Sequence, residues 1–134
     1  CAYGMPKRSS TGFDSNRLNM ILALLERKLE IPLNRYDVFI NITGGIKILE
    51  TAADLAVVAA ILSSFRNRPL SNGSIFLGEV SLVGDIRDVP NVEARLKEAL
   101  SLGISNAILP KKPAQKINIK CFEVQEVTKI IDWM

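Results

Sequence analysis

Histidine is absent from the chain's 134 residues, and that one absence removes a broad range of chemistry. No Ser-His-Asp or Cys-His machinery can be assembled, and no His-ligated metal site. Lysine, carboxylate and hydroxyl groups are what remains for catalysis. Cysteine is scarce as well. Cys1 and Cys121 lack metal-ligand spacing and allow at most one bridge, so they are read as two free thiols, with Cys121 buried in a strand. Long apolar runs are missing: the longest, Leu55 to Leu62, falls far short of the roughly 20 residues that cross a bilayer. The N-terminus has no signal-peptide pattern, because Cys1-Ala2-Tyr3-Gly4 leads into Pro6-Lys7-Arg8 and not into an apolar stretch. The expectation is a cytoplasmic protein with no membrane partner.

What is present fits one domain around one core. Hydrophobic residues make up 48% of the chain and charged residues 23%, a balance that folds rather than stays disordered. A net charge of +3 is too small to argue for nucleic acid, so its distribution has to decide. Residues 99–122 hold Lys111, Lys112, Lys116 and Lys120 and no acid, and residues 55–78 hold Arg66 and Arg68 and no acid. Arg66, Arg68, Lys111 and Lys112 are the candidates for contacting DNA phosphates. An ordinary solvated surface is the competing reading of the same residues.

Hydrophobic periodicity sets out the elements. Residues 1–12 lack periodicity and read as a linker; the first residue is not Met, and a fragment of a longer chain is expected. Asp14 or Ser15 caps a helix whose Leu18, Ile21, Leu22, Leu25 and Leu29 share a face, with Pro32 just beyond its end. Residues 37–42 alternate as a strand, Thr43-Gly44-Gly45 is a turn or bulge, and residues 46–49 extend it as a further strand. Residues 51–65 form a helix that is apolar nearly all round, which predicts packing on both sides. Residues 75–82 read as a strand, followed by a turn at Gly84-Asp85 and a short antiparallel return over 86–89. Pro90-Asn91 opens a third helix, with Glu93 and Lys97 as an i,i+4 pair and Gly103 as its cap. Strands follow at 107–109 and through Ile117, Ile119 and Cys121, and residues 124–134 close the chain as a short helix. The fold class is α+β, an α/β sandwich with a mixed sheet. Asp54 is either a functional carboxylate or a partly buried charge that caps the helix or pairs with a nearby arginine. Gly44-Gly45 is a close backbone approach rather than a phosphate cradle, since no Walker A pattern is present. Trp133 is taken as a packing residue.

Two stretches together resemble a known family. Gly78-Glu79-Val80-Ser81-Leu82-Val83-Gly84, then Arg95-Leu96-Lys97-Glu98-Ala99, then Gly103-Ile104-Ser105-Asn106-Ala107-Ile108-Leu109-Pro110 resemble the proteolytic domain of Lon proteases. Glu50-Thr51-Ala52-Ala53-Asp54-Leu55-Ala56 stands where Lon has G-P-S-A-G and resembles the E-P-A-A-D-L-A form of the bacterial RadA (Sms) family. Gly12-Phe13-Asp14-Ser15-Asn16-Arg17-Leu18 and Arg66-Asn67-Arg68-Pro69 strengthen that resemblance, which covers nearly the whole chain.

The resemblance implies a Lon proteolytic-domain-like fold, also described as ribosomal protein S5 domain 2-like. Residues 1–12 would then be the linker from an upstream ATPase core, and residues 13–134 the Lon-protease-like domain. Lon uses a serine nucleophile and a lysine base. Alignment puts Ala52 at the serine position and Glu93 at the lysine position, so no peptidase is implied. Ser63, Ser64, Ser81 and Lys47 show no spacing that would replace the pair. The implied role is the non-catalytic domain of a RecA-type, ATP-dependent DNA motor for branch migration in homologous recombination and DNA repair. The domain would serve as a ring scaffold and a DNA-binding surface. Partners implied are single-stranded or branched DNA, further copies in a hexameric ring, and the recombinase RecA. No cofactor belongs to this stretch; ATP, Mg and Zn belong to the upstream domains. The alternatives are an active Lon-type serine peptidase and a purely structural oligomerisation domain without DNA contact.

Overall fold

The computed structural model describes residues 8–11, 13–33, 36, 38–41, 53–70 and 73–133. Two compact units divide the chain, Cys1–Glu50 and Thr51–Met134.

In the first unit, strand β1 (Arg8–Thr11), helix α1 (Ser15–Leu29) and strand β2 (Val38–Asn41) form a β-α-β unit. The strands are parallel, with Arg8 opposite Val38 and Thr11 opposite Asn41. Residues 8–11 therefore belong to a strand and not to the expected linker. A short Ser/Thr-rich strand shows no hydrophobic alternation; its backbone ladder with β2 defines it. Asp14 caps α1, its Oδ1 accepting from Asn16 N at 3.0 Å. Leu18, Ile21, Leu22 and Leu25 are buried as their spacing predicts, and Leu24 is buried as well. The helix stops at Glu30, which is left-handed with φ 55°, two residues before Pro32.

The second unit opens with helix α2 (Asp54–Arg66). Strands β3 (Ser74–Phe76), β6 (Asn106–Leu109) and β7 (Lys120–Glu123) form a parallel sheet in the order β3-β6-β7. Strands β4 (Glu79–Val80) and β5 (Ile86–Arg87) form a separate antiparallel hairpin. Helix α3 (Val92–Ser101) links the hairpin to β6, and a 3-10 helix (Val127–Trp133) stands where a closing helix was expected. The α+β class holds, and among the described residues the parallel and antiparallel ladders lie in separate sheets rather than one mixed sheet.

The residues of the sheet explain its burial. Ala107 and Leu109 of β6 join Leu96 and Ala99 of α3 in one apolar cluster, with Leu77, Val89 and Ile119. Ile108, on the opposite side of the pleat, is equally buried, so both faces of β6 are covered, as parallel strands require.

Three further expectations are corrected. The strand over 75–82 breaks at Leu77-Gly78, because Gly78 O turns to accept from Leu55 N (3.1 Å) and β4 then pairs with β5. Alternation cannot register such a change of partner. Helix α2 is not packed all round: Leu55, Val58, Ala59 and Leu62 are buried, while Ala56, Ala60 and Ser64 form an exposed stripe at four-residue spacing. The final strand starts later than the alternation of Ile117, Ile119 and Cys121 predicts: Cys121 lies in β7, which begins at Lys120, while Ile117 and Ile119 fall in an irregular loop over residues 111–119.

Candidate nucleic-acid interface

The irregular loop from Pro110 to Ile119 has few ladder bonds to satisfy its backbone, and side chains supply partners. Lys112 N donates to Glu123 Oε2 at 3.0 Å, Gln115 N donates to Glu93 Oε1 at 3.3 Å, and Gln125 Nε2 donates to Pro110 O at 3.4 Å. Between this loop and β7 lies an open groove of about 470 Å³. Lys112, Lys116 and Lys120 line it together with Ile117, Cys121 and Phe122. No carboxylate is among its lining residues. The ammonium of Lys120 sits 5.2 Å from the centre of the Phe122 ring, a cation–π distance. Cations beside a half-buried aromatic on a concave surface suit a phosphate backbone and the face of a base.

Cys121 is a free thiol in β7, half-buried rather than fully buried. Burial raises its pKa above the usual thiol value; nearby Lys112 opposes this shift and Glu123 adds to it. The thiol therefore stays protonated and unreactive near neutral pH.

The candidates from sequence divide. Lys112 lines the groove; Lys111 is exposed and is not among the lining residues. Arg66 and Arg68 stand at the end of α2, outside the groove lining. There the left-handed Asn67 (φ 54°) closes the helix, with Arg68 N donating to Ser63 O at 3.0 Å and Asn67 N to Ser64 O at 3.2 Å. Ser63 Oγ donates to Arg68 O. These bonds make a helix-terminating motif in which a cation also suits the helix dipole. The residues not singled out as site residues are Lys116, Lys120 and Phe122. The acid-free lysine stretch signalled the first two, and Phe122 stands two residues after Lys120, a spacing that puts both on one face of a strand.

The two aligned dyad positions fare differently. Ala52 lies outside the described residues, as do Gly44, Gly45 and Lys47. Glu93 stands in the first turn of α3 and lines a neighbouring depression of about 530 Å³ with Lys97 and Pro113. Its carboxylate turns to Gln115 N in place of the expected pairing with Lys97. Of the serines, Ser81 accepts from Asp85 N at 3.1 Å and closes the β4–β5 turn, and Ser63 serves the end of α2. Asp54 is fully buried, and its Oδ2 accepts from Val80 N at 3.0 Å. It joins the start of α2 to β4 and, being fully buried, is closed to a substrate. Among the described residues no group of three or more His, Cys, Asp or Glu side chains is placed to hold a metal ion. No helix among them is long and apolar enough to cross a membrane.

Comparison with known proteins gives two findings. The family model described as "Subunit ChlI of Mg-chelatase" matches residues 4–113. Proteins named DNA repair protein RadA match over most or all of the chain. The one from Helicobacter pylori is 63% identical over 134 residues, which is 100% of this chain and 30% of that protein. The one from Campylobacter jejuni is 60% identical over 134 residues, again 100% and 30%. The one from Pseudomonas aeruginosa is 47% identical over 125 residues, 93% of this chain and 28% of that protein. The chain thus spans about 30% of the length of the curated relatives it matches.

Proposed function

The chain belongs to the sequence family described as subunit ChlI of Mg-chelatase and to the RadA group of DNA repair proteins, and from that membership we propose that it is a non-catalytic, DNA-contacting part of a repair and recombination protein. The family description names a chelatase subunit, but the relatives that match the chain from end to end are DNA repair proteins, and they favour DNA as the ligand. The observation that carries the reading is the groove in which Lys112, Lys116 and Lys120 flank Phe122 with no acid among the lining residues.

The finer parts of the proposal are a Lon-like fold for residues 13–134, a scaffold role in a hexameric ring, and a contribution to branch migration alongside RecA in the cytoplasm. ATP, Mg and Zn belong in this proposal to the remainder of the longer protein. Glu93, aligned with the lysine of the Lon dyad, spends its carboxylate on a backbone amide, and Ser63 and Ser81 are engaged in turns; this supports a domain without peptidase activity. Arg66, Arg68 and Lys111 stand outside the groove lining and make the competing DNA surface, which the salt dependence of binding tests against the groove.

The test is fluorescence anisotropy with a labelled oligothymidylate and a labelled duplex. Salt-dependent binding is expected, weakened by the combined changes Lys112→Ala, Lys116→Ala and Lys120→Ala. Parent-like binding by that variant would reject the groove as the DNA site. Casein hydrolysis that vanished on changing a single serine would reject the non-catalytic reading.

A further inference from the structure

We propose that Glu93 and Glu123 are positioning residues for DNA binding: they hold the backbone of the basic loop so that its lysines face the groove. This inference rests on the DNA reading given above. The loop from Pro110 to Ile119 carries Lys112 and Lys116 yet lies outside any strand or helix, and a flexible segment would lose conformational entropy on each binding event.

The two carboxylates act where that entropy matters. Glu123 Oε2 accepts from the amide of Lys112 itself. Glu93 Oε1 accepts from the amide of Gln115, the residue directly before Lys116. Each bond therefore fixes the main chain at or beside a lysine that lines the groove, without engaging the ammonium. Both acceptors come from regular elements, Glu93 from α3 and Glu123 from β7, so the loop is referred to rigid parts of the same unit. Ionised acceptors make stronger bonds than neutral ones.

An acid beside a phosphate-binding loop also has an opposite tendency, which is to repel the ligand. The two effects separate by substitution. Glu93→Gln keeps an acceptor oxygen and removes the charge; Glu93→Ala removes both. Glu123→Ala is an independent arm at the other anchor.

The experiment pairs amide hydrogen exchange with oligothymidylate binding for the whole chain. In E93A, exchange at the Gln115 amide is expected to rise about tenfold, the loss of a bond to a charged group, and DNA binding to weaken several-fold. E93Q, which keeps a weaker neutral acceptor, is expected to fall between the parent and E93A in both, and E123A to show the same paired change at the Lys112 amide. Binding by E93A that equals or exceeds the parent's, with E123A the same, would overturn the positioning role even if exchange rises. If the parent chain binds no DNA, the DNA reading itself fails; if the parent binds and the anchor variants bind equally, only the positioning role fails.

Discussion

A methyl group added at Gly78 would lie 2.6 Å from Ile86 Cγ2 and 3.4 Å from Leu55 Cδ2. Neither neighbour is free to move, since both are buried and Gly78 O holds Leu55 N. Gly78→Ala is expected to lower stability by about 1–3 kcal/mol through overpacking, seen as a lower urea midpoint at unchanged slope. Asp54 sits at the same junction, where its carboxylate satisfies the Val80 amide. Cys121 sets a different expectation. Burial, the leading cause, raises its thiol pKa in the folded state, so the fold holds the thiol proton more tightly than the unfolded chain does. That contribution is complete below the ordinary thiol range and is lost as pH rises through the folded value. Stability should therefore fall on the alkaline side, modestly because the thiol is half-exposed, and Cys121→Ser should flatten the decline that sets in as pH rises through and above the ordinary thiol range. Urea midpoints across that range provide the check.

Helix ends show what glycine does and does not contribute. After α3, Ile104 N donates to Ala99 O at 3.0 Å and Gly103 N to Leu100 O at 3.1 Å, with Gly103 left-handed at φ 88° and open space where a Cβ would stand. Gly103→Ala meets no clash, so its cost is conformational, about 1–2 kcal/mol. The mirror case is Glu30, a non-glycine at φ 55° after α1. Glu30→Gly should stabilise, offset in part by the freer unfolded chain. Thermal melts of the two variants should move in opposite directions. Helices α1 and α3 were legible because an amphipathic face repeats, with Asp14, Pro32 and Gly103 marking their ends in residue type alone, and α2 by its long apolar run. The strands were less so. β1 has no apolar alternation to detect, and 75–82 alternates straight through the point where its partner changes. Ile117 and Ile119 alternate within a loop whose bonds come from Glu93, Glu123 and Gln125, residues too distant in sequence for any local pattern to link. The lysines of the groove were visible as an acid-free stretch. Lys120 and Phe122 share a face of β7 by their two-residue spacing, but the convergence of Lys112 and Lys116 on them depends on β7 lying against the loop, which no spacing encodes.

For the molecule as a whole, a net charge of +3 gives little long-range attraction for a polyanion, so DNA affinity has to come from where cations are gathered. The groove gathers three, Lys112, Lys116 and Lys120. Each phosphate neutralised on a single strand contributes about −0.7 to the slope of log affinity against log salt. Full engagement of the groove therefore predicts a slope of roughly −2, and removing the three lysines together should flatten it by that amount. Arg66 and Arg68 provide the contrast. They stand at a helix terminus where their charge complements the dipole, so Arg66→Ala with Arg68→Ala should lower the melting temperature and leave the salt slope unchanged. Titrations of labelled oligothymidylate at several salt concentrations distinguish the two places. A slope that flattens with the arginine pair and not with the lysines would move the DNA-contacting surface from the groove to the end of α2.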